Sequence, residues 1–169
     1  DMPGNNSTKP VLSLNDLRTY FHTQDGVAKA VDGVSYDIYP GETLGVVGES
    51  GCGKSVTAAS ILRLIPIPPG EIVSGEIFFE GQNLLDLPMS KMRYIRGNRI
   101  SMIFQEPMTS LNPVFTIGYQ LSKVFTLHQN LTRKAAVQKS IEILAACEIP
   151  SPERIMKTYP HELSGGMRQ

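Results

Sequence analysis

The chain has 169 residues, 41% hydrophobic and 19% charged, which supports a buried core, one domain with at most a small insert, and excludes intrinsic disorder. Sixteen Lys and Arg balance sixteen Asp and Glu, so the formal charge is +0 and the basic footprint of a dedicated nucleic-acid binder is missing. Cys52 and Cys147 match neither a zinc spacing nor a disulfide framework, and no apolar run reaches the roughly eighteen residues of a membrane span. Residues 1–10 are polar and carry no apolar signal-peptide core, so they predict a disordered tail and a reducing, cytosolic setting. Asp1 stands where an initiator Met is expected, which suggests a trimmed chain.

In chain order, residues 11–21 (VLSLNDLRTYF) alternate imperfectly and predict a strand ending in aromatics. Gln24-Asp25-Gly26 marks a turn, and residues 27–39, with Val31, Val34, Tyr36 and Ile38 roughly alternating, predict a second strand closed by Pro40-Gly41. Residues 43–47 (TLGVV) form a short continuous apolar run, which predicts a strand buried on both faces of a parallel α/β sheet. Residues 54–65 place Val56, Ala59, Ile61, Leu62 and Ile65 at helical spacing, and Pro66, Pro68, Pro69 and Gly70 end that helix. A strand over 73–80, a turn at Gly81-Gln82, a short helix over 90–96 and a strand over 99–104 (RISMIF) follow. After Leu111-Asn112-Pro113 the pattern is helical. Helices are predicted over 116–128 and 132–148, the latter capped by Thr132 with Val137, Ile141 and Leu144 along one face, and a last short helix follows Pro152.

Residues 48–55 (GESGCGKS) match the pattern G-x-x-x-x-G-K-[ST] at every position, between a predicted strand and a predicted helix. The chemistry requires these residue types. Glycines let the backbone turn sharply so that successive N–H groups converge on phosphate oxygens, and the following helix adds its positive end. Lys54 would reach the β- and γ-phosphates and the Ser55 hydroxyl would hold Mg²⁺. Cys52 reads as a small filler in the loop. A second glycine signal closes the chain, Leu163-Ser164-Gly165-Gly166-Met167-Arg168-Gln169, where a hydroxyl and backbone amides open another helix.

With both motifs present, the chain resembles the nucleotide-binding subunit of ATP-binding-cassette (ABC) transporters, and most of all the oligopeptide/dipeptide importer branch. LSGGMRQ has the form of that family's signature, and AVDGVSYDI, GESGCGKS, MIFQEPMTSLNPVFTIGYQL and YPHELSGGMRQ read in the same way. The resemblance covers residues 11–169 and implies an α/β, P-loop NTPase fold of the ABC ATPase kind. Its parts would be a strand-rich N-terminal subdomain with the phosphate loop, strand and helix (11–105) and a helical subdomain ending in the signature (106–169), the C-terminal part of the core sheet lying outside this sequence.

What the resemblance implies for the site is specific. Phe21, with Tyr20 as second choice, would stack on adenine. Gly48, Glu49, Ser50, Gly51, Cys52, Gly53, Lys54, Ser55 and Val56 would bind the phosphates of ATP. Ser55 and Gln105 would hold Mg²⁺, with Lys54 and Gln105 as the catalytic pair. Leu163, Ser164, Gly165, Gly166, Met167 and Gln169 would complete the ATP site of a second ABC subunit, in a homodimer or heterodimer. Residues 108–115 would line a groove for transmembrane permease subunits. An extracytoplasmic solute-binding protein would take part indirectly, and nucleic acid would not. The protein would sit peripherally on the cytoplasmic face of the membrane.

Hydrolysis in this family also needs a strand of four apolar residues followed by a carboxylate pair. The sequence contains none; its nearest imitation is Ile77-Phe78-Phe79-Glu80. These 169 residues are therefore expected to bind ATP without hydrolysing it efficiently, and to stop inside the signature helix of a longer subunit. Two alternatives are a soluble, non-transport ABC ATPase and a non-catalytic nucleotide-binding fragment. The short interval between Gln105 and Ser164 argues against the coiled-coil insertion of repair ATPases. A GTPase or small-molecule kinase would leave LSGGMRQ unexplained and lacks an Asn-Lys-x-Asp pattern.

Overall fold

The computed structural model describes residues 9–104 and 110–169. They form two compact units, one within Asp1–Ile100 and one within Ser101–Gln169.

In the first unit, β1 (Leu12–Thr23) and β2 (Gly26–Ile38) make an antiparallel hairpin across the predicted turn. β3 (Gly70–Phe79) pairs antiparallel with the other side of β1, and β4 (Gln82–Asn83) forms the edge, in the order β2-β1-β3-β4. The imperfect alternation of β1 has a cause. Its register slips between Leu14 and Leu17, where Asp16 takes φ 45°, so two leucines three residues apart both point inward. Gly75 accommodates this bulge, because a Cβ there would lie 2.6 Å from the Asp16 carbonyl.

Leu14, Leu17 and Ile77 from the sheet pack with Ile61 of α1 (Lys54–Ile61) and with Met92 and Ile95 of α2 (Met89–Ile95). Arg96 ties the two helices together by donating from Nε to the Leu62 carbonyl at 2.8 Å and from Nη2 to the Arg63 carbonyl at 2.7 Å. Burial, helped by Arg63 and Arg93, pushes the Arg96 guanidinium pKa down. Leu17 is 0% exposed. Leu17→Ala is therefore expected to cost about 2–5 kcal/mol of unfolding free energy, read as a lower denaturant midpoint at unchanged slope.

Two predicted strands are corrected. Residues 43–47 form no strand and are exposed, with Val47 at 95%. A strand buried on both faces needs parallel neighbours, and among the described residues the named strands pair only antiparallel. Residues 99–104 likewise form no strand: a single bridge joins Arg96 to Ile100, and Ile103 is 94% exposed.

The second unit holds α3 (Ile117–His128), α4 (Arg133–Ala146), α5 (Pro152–Ile155) and α6 (Gly165–Arg168). Thr116 and Thr132 cap the first two helices, their hydroxyls accepting from the Tyr119 and Ala135 amides. Ile117, Ile155 and Leu163 form the core, with Leu144 among the residues packed on it. The fully buried positions of α4 are not those of its large apolar face. Ala136 and Ser140 are its buried residues, whereas Val137 is 37% exposed. Small side chains let helices approach closely, and Ser140 satisfies its hydroxyl on the Ala136 carbonyl at 2.7 Å. Gly118 of α3 is just as close to the chain after α5, where a Cβ would lie 2.4 Å from the Met156 carbonyl.

Candidate functional site

The glycine-rich loop begins at Gly48 and runs into α1. Gly51 at φ 85° and Gly53 at φ 92° occupy the left-handed region, where a side chain is strained. Gly53 also seats the loop on the sheet: a Cβ there would stand 2.2 Å from the Ala30 carbonyl of β2. The register of β1 against β2 passes from Thr19↔Val31 to Tyr20↔Lys29, so Ala30 is the extra residue of a bulge. The loop thus rests where the ladder is interrupted.

Gly53 caps α1 without a side-chain hydrogen bond, and the Thr57 amide donates to the Gly53 carbonyl at 2.8 Å. The amides of Lys54, Ser55 and Val56 come before that first intrahelical bond, so the helix itself offers them no acceptor. Lys54 Nζ stands over the loop, donating to the carbonyls of Gly48 at 2.6 Å and Glu49 at 2.7 Å, with Cys52 Sγ at 3.3 Å. Cys52 and Ser55 are exposed. Three amides, an ammonium and a hydroxyl gathered at the positive end of a helix form a donor set suited to phosphate oxygens. A cradle whose glycines leave no space for a Cβ at Gly48 or Gly53 fits the same group.

Phe21 and Tyr20 lie on opposite faces of β1. Arg18 and Tyr20 both reach Asp32, the Tyr20 hydroxyl donating at 2.7 Å and Arg18 Nη1 at 3.2 Å. The Tyr20 hydroxyl first, then Lys29 and Arg18, hold the Asp32 carboxyl below its ordinary range. Leu17, Thr19 and Phe21 take the other face, where Thr19 meets Ser60 of α1 and the Phe21 ring lies over Gly70. Phe21 is half-buried and shares its side of the strand with the helix that follows the loop. Nothing in the sequence signalled the Thr19–Ser60 contact or the seat of Gly53 on Ala30, because both arise from register slips.

Gln105, Met108 and the rest of 105–109 lie outside the described residues. In the second unit, Ser164 caps α6 by accepting from the Met167 amide at 3.3 Å, Leu163 is buried in the helical core, and Gly165, Gly166 and Gln169 are exposed. Val114 is 70% exposed, and the Phe115 ring stacks on Tyr119 at 4.7 Å. Tyr119 in turn lines a mainly apolar cleft of 720 Å³ with Val137, Ile141 and Met156, edged by Lys123 and Lys157. Val137 and Ile141, which share one face of the predicted helix, line this cleft. His22 pairs with Glu71 at 2.9 Å and His161 stacks on Tyr159.

This antiparallel sheet with its glycine-rich loop and helix, followed by a helical unit, has the fold of an ABC ATPase cassette. The sequence profile of the ABC transporter family matches residues 31–169, and the chain belongs to that family. It is similar to the probable peptide ABC transporter ATP-binding protein y4tR of Sinorhizobium fredii, with 49% identity over 99% of this chain and 50% of that protein. It is also similar to the oligopeptide transport ATP-binding protein OppD of Bacillus subtilis, with 46% identity over 94% of this chain and 44% of that protein. The fold matches the dimeric structure of MJ0796, a bacterial ABC transporter cassette, with a TM-score of 0.77 at 22% identity, covering 93% of this chain and 65% of that one. The chain spans about half the length of the curated relatives it matches.

Proposed function

We propose that this chain is the ATP-binding portion of a peptide importer's ATPase subunit. The observation that carries the reading is the loop of residues 48–55, with the Lys54 ammonium above it and the Lys54, Ser55 and Val56 amides at its end. These groups bind the phosphate tail, and Phe21, on the same side of β1 as α1, stacks on adenine. Tyr20 serves Asp32 instead. The Ser55 hydroxyl, with Gln105, would hold Mg²⁺, which would supply positive charge to the phosphate tail. Lys54 would neutralise charge on the same oxygens, and Gln105 is the second member of the proposed catalytic pair.

The partners follow from the second unit. Residues 163–169 meet the ATP of a second cassette, a reading supported by the dimeric state of the cassette whose fold this chain shares. Residues 108–115 would line the groove for a permease segment, a reading supported by the exposure of Val114 and by the mainly apolar cleft beyond Phe115 and Tyr119, and the protein would then sit peripherally on the cytoplasmic face of a membrane. Among the described residues no helix is long and apolar enough to cross one. The names of the relatives favour peptides as the transported solute.

Calorimetric titration tests the reading. Mg-ATP is expected to bind residues 1–169 with preference over Mg-GTP, while phosphate release stays slow because no strand-borne carboxylate pair occurs among them. Saturable GTP binding with no ATP binding would overturn the assignment, and rapid steady-state turnover would overturn the expected slow hydrolysis.

A further inference from the structure

Thr19 and Ser60 are both 0% exposed, and their hydroxyl oxygens lie 2.8 Å apart. The direction of this bond follows from proton counting. Ser60 has one hydroxyl proton, and it is donated to the Val56 carbonyl at 2.7 Å, so Thr19 donates to Ser60. The bond joins the far end of α1 to the strand that carries Phe21 two residues later on the same face. The near end of α1 is seated by Gly53 on Ala30. Ile61, next to Ser60, adds apolar contact, which is non-directional, and Arg96 holds the Leu62 and Arg63 carbonyls just past the helix end from α2 and not from β1. A hydrogen bond between two short side chains sets both the axial position and the rotation of the helix.

We propose that Thr19 and Ser60 are a positioning pair that sets the span between the phosphate loop and the base-stacking ring, so that one nucleotide engages both. This rests on the reading given under Proposed function. Neither residue touches the nucleotide. Each acts through the placement of α1 relative to Phe21, so loss of the pair penalises a ligand that bridges base and phosphate sites and spares one that occupies the loop alone.

Thr19→Val keeps the shape and removes the donor, and Thr19→Ser restores it. Affinities of the whole chain for Mg-ATP and for inorganic tripolyphosphate with Mg²⁺ would be measured by calorimetry. Thr19→Val is expected to weaken ATP about five- to tenfold while tripolyphosphate changes less than about twofold, and Thr19→Ser to match the unsubstituted protein. If Thr19→Val loses its cooperative melt, Ser60→Ala carries the same test with the same expected split. Equal weakening of both ligands, or no weakening of either, overturns the positioning role while leaving ATP binding intact. Failure of the unsubstituted protein to bind either ligand overturns the nucleotide reading itself.

Discussion

Lys54→Ala is expected to lower the affinity for Mg-ATP by about 10- to 150-fold while leaving the fold in place. Among the described residues the ammonium has no carboxylate partner; its bonds go to the Gly48 and Glu49 carbonyls and to Cys52 Sγ. A polyphosphate offers charged acceptors in place of neutral ones, and hydrogen bonds to charged groups contribute about 1.5–3 kcal/mol each. The cost to the unbound protein is small, since both carbonyls lie in an exposed loop and return to water. Calorimetry gives the affinity and a thermal melt gives the stability; an unchanged dissociation constant would remove Lys54 from the site. Lys54→Arg does not rescue, because a planar guanidinium on a longer stem cannot occupy the position of a compact ammonium between two carbonyls.

Gly53→Ala is expected to damage both stability and binding. The backbone sits at φ 92°, where a side chain costs about 1–2 kcal/mol, and the added Cβ would meet the Ala30 carbonyl at 2.2 Å. The clash is with backbone that belongs to β2, so relief requires moving the loop off the sheet. A loss of about 2–4 kcal/mol follows, a fall in melting temperature of roughly 10 °C or more for a unit of this size. Gly51→Ala is the control. Its φ is 85°, but nothing lies within 4 Å of an added Cβ, so only the backbone strain remains. Equal melting temperatures for the two variants would show that the seat on Ala30 carries no load.

The elements legible in the sequence are those whose signals are local. Thr116 and Thr132 marked helix starts because a hydroxyl beside an amide caps a helix wherever it occurs. The spacing of residues 48–55 announced a turn requiring left-handed glycines and a helix starting at Lys54, and Gly51, Gly53 and α1 take those forms. Residues 43–47 misled for the opposite reason. An apolar run records what a strand could bury, but pairing depends on neighbours, and the described strands provide none for Val46 and Val47. In α4, counting large apolar side chains picked Val137 and Ile141, whereas close packing selected the small Ala136 and Ser140 and left the larger pair to line a cleft.

The sequence by itself therefore determined the family, the glycine-rich loop and the capped helices, since each rests on residue types at short fixed spacing. Only the tertiary structure decided which aromatic of β1 faces the loop helix, what seats Gly53, and which carbonyls hold the Lys54 ammonium. The reason is geometric. One-residue slips at Asp16 and Ala30 redirect whole faces of paired strands, and a slip is a property of two strands in contact that neither strand encodes alone.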